Sequence, residues 1–271
     1  DNSGATGSWS STQNFRMNYS PNAPQTPYCE GTTNPTGVTD TTPEFSAIFD
    51  DNNTSDSAPY YEIEVNTNSS FTGTVMWDTN KTAQTAIREG TRSVNKSYNG
   101  IALNIDGTTY YWRMRFWDDA NALGTWSAVQ NFRMNYPPSS PTTPYCEGTT
   151  NPTGVTDTTP EFSAVCQDSD SGQTCNYYEI EVDTTEAFNN TVWDSGIQSM
   201  TATAIGVRSP SISYSGSSLS STTGKLYFWR IRFADNLGTV GDWSTVQNFT
   251  MDGSTDSTYI RGLKFRGVTI E

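Results

Sequence analysis

A string of 22 residues, TPYCEGTTNPTGVTDTTPEFSA from Thr26 to Ala47, recurs letter for letter from Thr143 to Ala164, an offset of 117 residues. The same offset carries Trp112 onto Trp229, Trp126 onto Trp243 and Phe132 onto Phe249. Copies this similar must fold alike, so the chain holds one architecture used twice. A partial third copy stands at the N-terminus, where WSSTQNFRMNY from Trp9 to Tyr19 matches WSAVQNFRMNY from Trp126 to Tyr136. The sequence is therefore expected to open inside a loop, followed only by the last strand of a repeat. Either residues precede Asp1 in a longer chain, or this orphan strand completes a domain in another subunit.

Composition narrows the architecture. Hydrophobic residues make up 33% and the net charge is −14, a pairing that in general favours disorder. The 8 Trp, 14 Tyr and 12 Phe oppose that reading, because disordered chains are poor in aromatics. Small domains built on a few large aromatic anchors reconcile the two facts. The absence of histidine removes Ser-His-Asp and Cys-His nucleophile pairs and the commonest transition-metal ligand. With 29 acidic against 15 basic residues the chain lacks the clustered cations that nucleic-acid binding requires. No apolar run approaches the roughly 20 residues of a membrane-spanning helix.

Within a repeat the hydrophobic period is two. Tyr61, Ile63 and Val65 alternate with Glu62 and Glu64, and Tyr110, Trp112, Met114 and Phe116 alternate with Tyr111, Arg113 and Arg115. Turn-forming clusters such as Asn66–Ser70 and Asp106-Gly107 separate these runs. Short alternating strands in a unit of about 100 residues predict an all-β fold, tandem antiparallel β-sandwiches. The expected division is an orphan strand over 1–19, a Pro-containing connector over 20–34 and a first sandwich over 35–136. A Pro-rich connector over 137–151, a second sandwich over 152–252 and a basic β tail over 253–271 complete it. The connectors read as extended, semi-rigid spacers of about 3.1 Å per residue.

The runs YYEIEVNTNSSFTGTVMWD (Tyr60 to Asp78), DGTTYYWRMRFWDD (Asp106 to Asp119) and GTWSAVQNFRM (Gly124 to Met134) resemble the fibronectin type III family, in the form found in secreted bacterial multi-repeat proteins. The second copy offers YYEIEV from Tyr177, LYFWRIRFAD from Leu226 and GDWSTVQNFTM from Gly241. The resemblance implies an immunoglobulin-like sandwich and a structural tyrosine corner at Tyr110 and Tyr227. It also makes the two central strands neighbours, which would set the pair Glu62 and Glu64 across from the pair Arg113 and Arg115. In the second repeat Glu179 and Glu181 would face Arg230 and Arg232. The preferred reading is a solvated ladder that fixes register, each pair worth a few tenths to about 1 kcal/mol.

Cysteines divide into two classes. Cys166 and Cys175 occur only in the second repeat, in place of Phe49 and Ala58, and flank one turn. A disulfide between them is expected, which suits an oxidising, extracellular setting. Cys29 and Cys146 occupy equivalent places and are expected to link neighbouring chains, pair locally or stay free. No cofactor is required. The same turn is rich in oxygen ligands: Asp168 and Asp170 in the second repeat, Asp50, Asp51 and Asp56 in the first, with Asp118 and Asp119 at the same pole. Aspartate favours turns for its own reasons, and that reading is preferred; calcium is the competing one.

Exposed aromatics such as Tyr60, Tyr111 and Trp117 offer either cross-strand packing or a surface for a glycan ligand, and packing is preferred. The tail YIRGLKFRGVTIE from Tyr259 carries +3 and −1 on a chain otherwise at −16. Its apolar residues Ile260, Leu263, Phe265, Val268 and Ile270 predict an assembly strand that adds to a neighbouring sheet edge. Together these features predict a non-enzymatic extracellular structural protein, a stalk, adhesin or filament subunit at a cell surface. It would self-associate or belong to a longer array of the same repeats, with a surface glycan or protein as ligand. The competing reading is a carbohydrate-binding or accessory spacer module of a secreted hydrolase.

Overall fold

A computed structural model describes residues 2–4 and 6–253. It divides into two compact units, Asp1–Met134 and Asn135–Glu271, and each is a two-sheet all-β domain. In the first, the strands are β1 (Gln25–Cys29), β2 (Thr36–Val38), β3 (Glu44–Ile48), β4 (Ser57–Asn66), β5 (Val75–Asp78), β6 (Thr82–Arg88), β7 (Lys96–Ser97), β8 (Thr109–Trp117) and β9 (Gln130–Met134). The second repeats the pattern with β10 (Thr142–Cys146), β11 (Thr153–Val155), β12 (Glu161–Val165), β13 (Thr174–Asp183), β14 (Thr191–Asp194), β15 (Gln198–Ala204), β16 (Ile212–Ser213), β17 (Leu226–Asp235) and β18 (Gln247–Met251).

In domain 1 a small sheet of order β1-β3-β7 faces a larger one of order β2-β9-β8-β4-β5, with β6 also paired to β4. All pairings are antiparallel except one. The chain leaves the small sheet after β1 and enters the large sheet as β2, which runs parallel to β9 with Thr36 opposite Arg133. The crossing needs left-handed backbone at Glu30, Gly31, Asn34 and Gly37, with φ between 50° and 71°. Domain 2 makes the same switch, β11 running parallel to β18. The sandwiches are therefore mixed at one edge, where a purely antiparallel arrangement was expected.

The core follows the period-two pattern. Ile63, Val65, Trp112, Met114, Phe116, Phe132 and Met134 are fully buried between the sheets of domain 1. Phe45 on the small sheet meets Trp112 at a centroid distance of 4.7 Å, and Phe162 meets Trp229 at 4.6 Å in domain 2. The tyrosine-corner residues close the far end. The Tyr227 hydroxyl accepts the Ser220 N–H at 3.0 Å, and the Tyr110 hydroxyl is held by the backbone of Asn104.

The connectors differ from the spacers read in the sequence. Residues 20–34 contain β1, and the Asn22 N–H donates to the Asp50 carbonyl. Residues 137–151 contain β10, and the Ser139 N–H donates to the Gln167 carbonyl. Pro21, Pro24 and Pro27 are buried, as are Pro138, Pro141 and Pro144. A polyproline helix has three residues per turn, so prolines spaced by three present one apolar face. That face packs onto the domain instead of stiffening a free linker. The fit is tight enough to require glycine: a Cβ on Gly241 would lie 2.0 Å from the Pro138 carbonyl oxygen.

Among its described residues the orphan N-terminal repeat forms no strand. Trp9, Phe15 and Met17 are exposed, at 99%, 88% and 71%, whereas Phe132 and Met134, the counterparts of Phe15 and Met17, are fully buried. The letters match, but no sheet edge pairs with them. The tail residues Ile260, Leu263, Phe265, Val268 and Ile270 lie outside the described residues.

One hairpin separates the domains chemically. Asp183, fully buried at the end of β13, accepts from the Thr185 N–H and hydroxyl, the Asn190 N–H and the Thr191 hydroxyl at 2.6–3.2 Å. Burial would push this carboxyl up, and the four donors outweigh it, holding it below its ordinary value. Domain 1 has Asn66 at this place, whose Nδ2 is buried without a partner.

Two predictions follow from the second domain. The stabilisation from Asp183 is present above the unfolded-state value near about 3.9 and is lost as pH falls through the lowered folded value. Asp183→Asn should destabilise domain 2 by about 1–3 kcal/mol at neutral pH. In thermal unfolding the gap to wild type should close below about pH 4. The Cys166–Cys175 bond closes a loop with a sequence separation of 9. Replacing both residues with alanine should cost roughly 2–3 kcal/mol by loop-closure entropy. Cys166→Phe with Cys175→Ala restores the pair that domain 1 uses, and should recover part of that loss in urea unfolding.

Candidate functional site

Each domain carries the same charged and aromatic cluster on the outer face of its large sheet. In domain 1, β4 and β8 pair in a register that sets Glu62 opposite Arg115 and Glu64 opposite Arg113. The ion pairs close at 2.7 Å and 2.6 Å. Trp126 lies against both arginines, its ring centroid 4.3 Å from the Arg113 guanidinium and 4.1 Å from that of Arg115. Phe71 stacks on Arg113 at 4.0 Å. Domain 2 reproduces the set: Glu179 with Arg232, Glu181 with Arg230, Trp243 at 4.4 Å from both guanidinium groups and Phe188 at 4.2 Å from Arg230.

This is more enclosed than the solvated ladder expected from the sequence. The glutamate side chains are only 10–17% exposed. Aromatic cover lowers the local polarity and strengthens both the ion pairs and the cation–π contacts. The sequence reading missed the role of Trp126 and Trp243, although their position signals it. Each lies outside the strands, in the WSxxQNF segment leading into the last strand, on the face where the arginines point. Chemically the cluster is a latch across two strands, and its acids are committed to arginine.

Tyr60 and Trp117 are also occupied. Trp117 is buried, and the Lys81 ammonium lies 4.3 Å from the Tyr60 ring. A cleft of about 360 Å³ in domain 1 is lined by Thr41, Thr42, Tyr98, Gly100 and Leu103 among others. The Tyr98 hydroxyl there is tied to the Met76 and Ile101 carbonyls.

The acidic turns gather at one pole of each domain. In domain 1 the structure brings together Asp51, Asp56 and Asp118, with one oxygen of each within 4.8 Å of the others. Asp50 does not join them: its carboxylate accepts from Gln25 Nε2 at 2.9 Å. Asn18 and Asn53 complete the setting, Asn53 donating to Asn18 at 3.0 Å and Asn18 to Asp118 at 2.8 Å. Burial foremost, and then neighbouring carboxylates, hold the Asp51 carboxyl above its ordinary value, against the opposing pull of the Asn53 N–H. In domain 2 the corresponding residues are Asp168, Asp170, Gln173, Asp235 and Asn135. Here Gln173 Nε2 donates to Asn135 at 2.7 Å and to Asp170 at 3.1 Å.

Cys166 and Cys175 are joined by a disulfide across this same turn of domain 2. Cys29 and Cys146 are free thiols with no solvent exposure. Burial pushes both well above the ordinary thiol range. Of the fates left open by the sequence, a link between folded chains is the one this burial opposes, since the sulfur cannot be reached without opening the sandwich.

No curated protein matches the chain. Among solved structures, an α-L-rhamnosidase from Dictyoglumus thermophilum aligns at 15% identity with a TM-score of 0.37, covering 87% of this chain and 29% of that one. The Streptomyces avermitilis α-L-rhamnosidase complexed with L-rhamnose aligns at 14% and 0.36, covering 87% and 26%. The FN1-FN3 domains of chicken CNTN1 align at 10% and 0.30, covering 85% and 68%. The chain thus spans less than a third of the length of either rhamnosidase. The family described as "Rha78A-like, N-terminal immunoglobulin domain" matches residues 24–136 and again residues 141–253. Both sandwiches are covered, and the chain belongs to this family as a tandem pair of its immunoglobulin-like domains.

Proposed function

We propose that the chain is a non-catalytic accessory segment of a secreted glycoside hydrolase, such as an α-L-rhamnosidase. One observation carries the reading: both repeats match, almost end to end, a family described by its N-terminal position. The chemistry agrees with it. The sequence has no histidine, and Glu62 and Glu64 on β4 and Glu179 and Glu181 on β13 are each bound by an arginine. The disulfide suits an oxidising, extracellular compartment. In this role the paired sandwiches act by excluded volume and spacing, and the latch on each large sheet keeps the β4–β8 and β13–β17 pairings in register.

A second reading, a stalk or filament subunit, draws on the near-identity of the two repeats, since arrays of one domain are commonly built by tandem duplication. Three measurements separate the alternatives. The purified chain should leave an aryl α-L-rhamnoside unhydrolysed. It should migrate unretarded in gels containing rhamnose-bearing polysaccharide, and sediment as a monomer. Retardation would replace the spacer role with carbohydrate binding. Filaments, or a concentration-dependent increase in sedimentation coefficient, would replace it with the stalk.

A further inference from the structure

We infer that the acidic pole of domain 1 is a binding site for a calcium-sized divalent cation, and that this ion fastens the turn which a disulfide fastens in domain 2. Asp51, Asp56 and Asp118 each offer a carboxylate oxygen, all within 4.8 Å of one another. Oxygens bound to calcium lie about 2.3–2.6 Å from the ion, so one ion can bridge oxygens up to about 5 Å apart. Three carboxylates this close repel one another unless something positive lies between them. The ion pairs of the domain are elsewhere, on β4 and β8, and Arg16 reaches this turn only to donate to the Asn52 carbonyl at 3.3 Å.

A second observation is independent of the acids. Asn53 is 7% exposed, and its side-chain oxygen Oδ1 is sealed from solvent with no hydrogen-bond partner in the protein. Asn53 is tied to every member of the cluster. Its N–H donates to Asp51 at 2.7 Å, its carbonyl accepts from the Asp56 N–H at 2.9 Å, and its side-chain N–H reaches Asp118 through Asn18. Asp51 Oδ2 and Asp56 Oδ2 are likewise buried and unpartnered. Buried polar groups are satisfied in the great majority of cases, and an orphaned one costs about 1–3 kcal/mol. Three unsatisfied acceptors, and no unsatisfied donor among these residues, call for a positive ligand. A hard cation with oxygen ligands fits that set.

Domain 2 supplies an internal comparison. At the position of Asp56 it has Gln173, whose amide nitrogen binds Asn135 and Asp170, and at the position of Asn53 it has Asp170, so the number of acids is the same and their places differ. Its turn is closed by Cys166–Cys175, where domain 1 has Phe49 and Ala58. Each domain thus has one device spanning the turn between its third and fourth strands. Among the described residues, only the domain 1 pole brings three carboxylate oxygens within 4.8 Å of one another.

The full chain, stripped with a chelator and exchanged into chelator-free buffer, should bind calcium chloride in titration calorimetry with one ion per chain. Calcium should raise the melting temperature by several degrees. Asp56→Gln, which places the domain 2 residue there, should abolish the binding heat and the shift while leaving the near-ultraviolet circular dichroism intact. Gln173→Asp combined with Asp170→Asn, which rebuilds the domain 1 set in domain 2, should raise the stoichiometry to two, and it decides the matter should Asp56→Gln fail to fold. Absence of binding by the folded wild-type chain overturns the assignment. So does binding that survives in folded Asp56→Gln, a stoichiometry still at one in the folded double variant, or an equal shift with magnesium chloride.

Discussion

The contact on which each domain depends is that between a phenylalanine of the small sheet and a tryptophan of the large one, Phe45 with Trp112 and Phe162 with Trp229. A chain with 33% hydrophobic residues cannot fill two sandwiches with aliphatic layers, so a few wide rings must span the gap between sheets. Around this contact the other aromatics take positions by proximity: Phe132 lies 5.7 Å from Phe45, and Tyr110 lies 5.4 Å from Phe132. The arrangement carries its own cost, because the indole N–H of each buried tryptophan has no partner. Burial of the ring outweighs that loss, since a buried aromatic contributes several kcal/mol where one unmade hydrogen bond costs about 1–3.

Once the core is fixed, the outer features follow from strand alternation. With Trp112 and Met114 inward, Arg113 and Arg115 must point outward, and the β4–β8 register delivers them to Glu64 and Glu62. The cover by Trp126 and Phe71 turns four charges into a half-buried latch. Its repetition in domain 2 ties it to the fold itself. The poles are where the two domains diverge. A turn there is held by a disulfide in one case and gathers three carboxylates within 4.8 Å of one another in the other, although the strands on either side are nearly the same.

Much of this was legible because β-structure has a period of two. The buried set of β4 and β8 and the cysteine pair across one turn could be placed from residue order, and the facing of glutamates and arginines followed from the family resemblance. What could not be read depends on contacts with elements distant in sequence. Prolines spaced by three suggest an extended spacer equally well whether their face is solvated or packed. The close approach of Gly241 to Pro138, about a hundred residues apart, decides for packing. Asp50 and Asp51 are adjacent and chemically identical, yet only Asp51 turns inward, because Gln25 on β1 draws Asp50 away.

The N-terminal segment states the division most plainly. WSSTQNFRMNY and WSAVQNFRMNY differ in two letters, and the sequence by itself determined the class of fold, the repeat and the residues that prefer burial. Only the tertiary structure decided which copy of that motif is buried. Phe132 and Met134 are fully buried because β9 pairs with β8 and β2, whereas Phe15 and Met17 have no sheet beside them and stand exposed. A β-strand makes its hydrogen bonds and buries its side chains through its neighbours, so identical letters have different fates when the neighbours differ.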